Sequence, residues 1–157
     1  MNRWDKVGVP HKGWECVNVY DLKENDAVAW HSCEMCGQEE IRYVHVMEHP
    51  DHPPLEVGCV CAGKMSVGYD ARRAEADLKN RQKRRDNFRH GWKIAKTGNY
   101  YRKKNGTLII IGEGRYGGFW VRVDAVLLKT YPKTFPEACD LAFDAIDRAT
   151  PISAFRG

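Results

Sequence analysis

Cys33-Glu34-Met35-Cys36-Gly37 and, after it, Gly58-Cys59-Val60-Cys61-Ala62 are the stretches that decide how this chain is read. The first has the Cys-x-x-Cys spacing that lets two thiolates converge on one metal ion, with Gly37 permitting the tight turn. Twenty-two residues separate Cys36 from Cys59. Four thiolates, from Cys33, Cys36, Cys59 and Cys61, would close a tetrahedral shell around one zinc ion and leave no open position, which makes the expected role structural. The second pair departs from the usual pattern. It is Cys-x-Cys, not the Cys-x-x-Cys of a helix start, so His45, His49 or His52 is an alternative ligand and Cys16 a substitute. Cys139 is expected to be buried on the last helix.

Between the two pairs, residues 41–47 and 55–57 are short strand-like runs around a turn rich in proline and histidine. Knuckle, hairpin and then a helix starting near the second pair is the order of a treble-clef zinc fold. With histidines on its hairpin, such a module resembles the scaffold of HNH-type nucleases. That resemblance implies a hairpin histidine activating water and a second divalent metal holding phosphate. It also requires a histidine or asparagine on the following helix. Asn80, Asn87 and His90 are the ones on offer, and even Asn80 falls at least ~25 Å along from Cys61 if that stretch is helical throughout. Metal-dependent cleavage is therefore the lesser alternative, and no residue is assigned a catalytic role.

The chain has 157 residues, 43% of them apolar and 29% charged, with a mean hydropathy of −0.59. That is enough for one ordinary core or two small ones. No apolar run approaches the ~20 residues that span a bilayer. Residues 1–14 lack the continuous apolar segment of a secretory signal. A cytoplasmic protein without a membrane partner is expected, and in that compartment six cysteines point to metal before disulfides. Net charge is only +4, but it is concentrated. Between Arg72 and Lys93, nine basic residues face only Glu75, Asp77 and Asp86, so this segment carries +6 and the remainder −2.

Three parts follow from this distribution. Residues 1–69 hold an irregular, Trp-rich lead-in (1–32) and the four-cysteine module. Residues 70–92 read as a long basic helix with few apolar positions, supported by Glu75–Lys79 and Asp77–Arg81 at i,i+4. Residues 93–157 form a β-β-β-α module. In it, Asn105-Gly106 signals a hairpin turn between 100–104 and 107–111, because both turn positions need positive φ. A glycine-rich turn, 112–118, leads to a half-buried strand over 119–126. Thr134 with Glu137 is a capping box opening a helix that places Ala138, Leu141, Ala142, Ala145 and Ile146 on one face. The fold class is α+β.

The strand Phe119-Trp120-Val121-Arg122-Val123, followed by Tyr131, Thr134, Glu137-Ala138 and an alanine-rich helix with Phe143-Asp144, resembles the three-strand-plus-helix DNA-binding domain of ethylene-response factors and phage integrases. It covers about a third of the chain. The family's Leu-Gly step is replaced here by Lys129-Thr130, and its first strand is less rich in arginine. The resemblance implies an exposed sheet face entering a groove, with Trp120, Arg122, Arg102 and Lys104 as contacts. The Pro10–Trp14, 41–45 and 58–62 segments further resemble small bacterial zinc-binding proteins, which implies no activity.

The expectation is a non-catalytic, zinc-stabilised nucleic-acid-binding protein, with DNA favoured over RNA. The basic helix (Arg81, Lys83, Arg84, Arg85) and the sheet face of the last module would contact phosphates and bases. The alternative is a protein-interaction or adaptor module in which zinc only folds the chain.

Overall fold

The computed structural model describes residues 2–25 and 31–156. Trp30, part of the expected lead-in, lies outside the described residues. The chain is a mixture of helices and antiparallel sheets, and so α+β, divided into two compact units, Met1–Asn80 with Thr150–Gly157 and Arg81–Ala149.

The first unit is built on strands β1 (Glu15–Asp21), β4 (Tyr43–His49) and β5 (His52–Val57), in the antiparallel order β1-β4-β5. Two-residue strands β2 (His31–Ser32) and β3 (Glu40–Ile41) pair with each other and flank the first cysteine pair. Helix α1 (Cys59–Met65) follows β5 directly. Pro53 and Pro54 sit in β5, an edge strand whose register against β4 is broken between Met47 and His49. Val44, Met47, Leu55, Val57, Ala62 and Met65 form the core. Strand β1 lies inside the stretch expected to be irregular. A bulge between Cys16 and Asn18 shifts its register against β4, which breaks the two-residue alternation that would have revealed it.

Helix α2 (Ala71–Asn87) is shorter than the expected 70–92 and begins beside Asp70, whose side chain accepts from the Arg73 N–H at 3.1 Å. The neighbouring-turn pairs expected along it are replaced by tertiary ones. Within the first unit, Glu75 bonds to His45 and Asp77 accepts from Thr150.

The second unit is a five-stranded antiparallel sheet, where three strands were expected, with helix α3 (Phe135–Ile146) on one face. Its strands are β6 (Lys93–Ile94), β7 (Tyr100–Lys104), β8 (Thr107–Glu113), β9 (Phe119–Val123) and β10 (Val126–Leu127), in the order β10-β9-β8-β7-β6. Asn105 and Gly106 both have positive φ, 52° and 79°, as the hairpin reading requires. The expected strand over 119–126 is interrupted at Asp124 (φ 51°), which turns the chain into β10. Thr134 caps α3 by accepting from the Glu137 N–H at 3.3 Å, while the Glu137 carboxylate reaches the Lys133 N–H. The buried face of α3 is Ala138, Cys139, Ala142 and Phe143; Ala145, expected there, is exposed. These side chains pack on Ile109, Ile111, Val121 and Phe88.

Candidate metal centre and sheet face

Strands β2 and β3 bring the ends of the first cysteine loop together, and the loop closes on itself. The Gly37 N–H donates to the Cys33 carbonyl at 2.7 Å and the Cys33 N–H to Glu39 at 2.8 Å, with Gly37 at φ 72°. Across from it, Gly58 precedes α1 so closely packed that a Cβ there would lie 2.6 Å from a Glu39 carboxylate oxygen and 2.8 Å from Ile41. The Gly58 N–H points at the Cys33 sulfur, 3.5 Å away. Cys61, on the buried side of α1 with Ala62 and Met65, completes a cluster in which the sulfurs of Cys33, Cys36 and Cys61 all lie within 4.8 Å of one another.

Cys59 is not in this cluster, which corrects the four-cysteine expectation. Residues two apart on an α-helix point about 200° apart, so α1 cannot aim Cys59 and Cys61 at one point. Cys59 instead lines surface recesses, one of them shared with Glu39, Tyr43, Glu75 and Lys79. Cys16 and the three alternative histidines are also elsewhere. Cys16 is buried against Asn18. His49 and His52 lean on Trp14, with ring centroids 5.2 and 5.3 Å away. His45 is fully buried on the central strand, bonded by Nδ1 to the Tyr69 hydroxyl (2.8 Å) and by Nε2 to Glu75 (2.9 Å). Tyr69 and Glu75 had no signal in the sequence, because the partnership spans 24 and 30 residues.

The three sulfurs fit a thiophilic metal ion. A tetrahedral Zn–S shell has sulfurs roughly 3.8 Å apart, which the 4.8 Å limit on this cluster accommodates. The Cys61 thiol donates to Cys33, which with backbone N–H groups pulls the Cys33 thiol down to about 5; the same bond and burial push Cys61 up. A buried pair sharing one proton is poised to exchange it for a cation. Three donors leave one tetrahedral corner, and no fourth His, Cys, Asp or Glu joins them among the described residues. The segment before β1 packs here: the Arg3 N–H and guanidinium bond to the carbonyls of Met35 and Glu34, and the Trp4 indole N–H approaches the Cys61 sulfur.

In the second unit, the arginines at the end of α2, and Arg89 just past it, are not bare. Arg81 bonds Asp144 and Asp147, Arg84 bonds Asp147, Arg85 bonds Asp144, and Arg89 bonds Asp140 through both carboxylate oxygens. The three aspartates lie on α3 or just past it. Of the expected helix contacts, Lys83 alone is exposed and without an ion-pair partner among the described residues.

Sheet register separates the remaining candidates. Arg102 faces Ile109 and Lys104 faces Thr107, so both share the helix-covered side with Ile111 and Val121. There Arg102 donates to the Phe88 and His90 carbonyls and stacks 4.6 Å over the Phe88 ring, while Lys104 sits 5.2 Å over the same ring. Both are half-buried there, on the side of the sheet opposite the exposed face expected to carry them. Trp120 and Arg122 lie on the opposite side, with the Arg122 guanidinium 5.8 Å from the indole. Trp120 covers Gly112, where any Cβ would collide with its ring. The same outward side carries Lys93, Tyr101, Lys103, Leu108, Ile110 and Leu127. None of the outward strand positions is acidic. Tyr101, Lys93 and Lys103 were missed; the Tyr-Arg-Lys-Lys run has basic residues on both faces, and only pairing decides between them.

Comparison with protein-family models, with curated proteins and with solved structures finds no match to this chain.

Proposed function

We propose that the protein binds nucleic acid without cleaving it, through the outward face of the β6–β10 sheet. The observation that carries this reading is the composition of that face: two aromatic rings and three cations, Lys93, Lys103 and Arg122, with no outward strand carboxylate. Phosphates gain from such cations by counterion release, and rings offer stacking surfaces to bases. The α2 arginines, already bonded to aspartates, contribute little to it.

Zinc is the proposed metal, held by Cys33, Cys36 and Cys61 in a treble-clef-like knuckle, hairpin and helix. When bound, it cross-links the loop to α1. No imidazole or carboxylate joins the sulfurs among the described residues, and the role proposed for the metal is to hold the first unit together. The histidines that a nuclease reading needs are occupied in the core or against Trp14.

The test is fluorescence anisotropy of the full chain against mixed pools of labelled DNA and RNA at 50 and 200 mM salt. Binding that weakens with salt and is lost in the triple variant Lys93→Glu, Lys103→Glu, Arg122→Glu supports the reading. Absence of binding to every pool at micromolar protein overturns it. Cleavage of labelled DNA or RNA with added magnesium or manganese would refute the non-catalytic part.

A further inference from the structure

The geometry points to single-stranded nucleic acid as the ligand of the outward sheet face, an inference that rests on the nucleic-acid reading above. Width excludes the deep grooves of a duplex. Five strands at ~4.8 Å spacing put about 19 Å between the outermost strand axes. The DNA major groove is only about 12 Å wide and admits a helix or a two-stranded ribbon. A sheet this broad meets a duplex only across its outer phosphates, where aromatic side chains have nothing to stack on.

The face is furnished for bases. Pairing places Tyr101 opposite Ile110 and Trp120 opposite Gly112, so the two rings lie two strands and two residues apart. That is roughly 12 Å, far enough to receive two different bases of one extended strand. Gly112 is what lets the indole lie across the sheet, since any side chain there would collide with it. Beside Tyr101, a recess of 280 Å³ is bordered by Gly91, Lys93, Lys103 and Leu108. It gives an unpaired base an apolar wall and gives its phosphate two ammonium groups. Arg122, next to Trp120, supplies the third cation at the other end. Such a chain of ring, cation and ring reads the backbone and the faces of bases, not their edges, so little sequence preference follows.

The experiment uses the full chain with 5′-fluorescein-labelled 15-mers of mixed sequence, as single-stranded DNA, single-stranded RNA and the corresponding duplexes. Anisotropy is read at several salt concentrations, with quenching of tryptophan emission as a second signal. Single strands of one or both sugars should bind roughly tenfold or more tighter than either duplex. The slope of log affinity against log salt should be about −2, for three phosphates neutralised on a single strand. Trp120→Leu should weaken binding by roughly tenfold. Because Trp120 also covers Gly112, Tyr101→Leu is the companion variant, with folding followed by circular dichroism; it too should lose roughly tenfold. Duplex binding as tight as single-strand binding overturns the inference and leaves the wider reading standing. So does an unchanged affinity in folded Tyr101→Leu. Failure of all four ligands to bind removes both.

Discussion

Cys59 and Cys61 differ in consequence because of two residues of helix. Cys61 projects into the sulfur cluster and Cys59 away from it, so their serine variants should separate cleanly. In native mass spectrometry, Cys61→Ser is expected to lose the bound metal and Cys59→Ser to retain it at one equivalent. His45 is the other residue whose environment fixes an outcome. Its ring joins Tyr69 to Glu75 with no exposed surface. His45→Ala would take one hydrogen-bond partner each from the Tyr69 hydroxyl and the Glu75 carboxylate and open a cavity. The expected cost is about 3 kcal/mol, read as a lower denaturant midpoint. Neither outcome was visible in the sequence: Cys-x-Cys was seen as a departure, but the direction of each thiol depends on α1 starting at Cys59.

At the level of elements, the second unit shows how far periodicity reaches. The Asn105-Gly106 turn, the Thr134 cap and the three longer strands were legible, since each is a local choice of backbone conformation or side-chain spacing. Which face of β7 meets the helix was not, because Arg102 and Lys104 alternate with Tyr101 and Lys103 and all four are amphipathic. Only pairing to Ile109 and Thr107 settles it. The arginine-rich half of α2 was misread for a similar reason. Its neutralising aspartates lie about sixty residues further on, in α3 and at Asp147. Partly exposed ion pairs of this kind contribute about 0.5 kcal/mol each. Replacing Asp140, Asp144 and Asp147 with asparagine should therefore lower stability modestly while freeing four guanidinium groups. Salt-dependent, sequence-independent affinity for any polyanion should rise in this variant, measurable as a steeper salt slope in the anisotropy assay.

For the whole molecule, the cysteine cluster and the sheet face belong to different units, and their responses should part. Chelation, or acidification that returns protons to the thiolates, should release the metal and raise amide hydrogen exchange in β4, β5 and α1. The protection of β8, β9 and α3 should persist, because their core of Ile109, Ile111, Val121 and Phe143 owes nothing to the sulfurs. The first unit is also discontinuous in sequence. Phe155 accepts from the Asp70 N–H, Arg156 donates to the Cys16 carbonyl and pairs with Glu15, and Thr150 meets Asp77. Joining Asn80 to Thr150 through a short glycine-serine linker, with Arg81–Ala149 removed, should still give a chain that binds one metal ion. Loss of metal from that deletion would show that the second unit is needed for the first.

The return of residues 150–156 to β1 also has a consequence for birth on the ribosome. The three clustered cysteines are translated long before the segment that finishes their unit. At 5–20 residues per second, the interval between Asn80 and Arg156 is on the order of 4–15 s. For that time the nascent chain holds the three thiols unenclosed, open to oxidants and to any thiophilic metal ion.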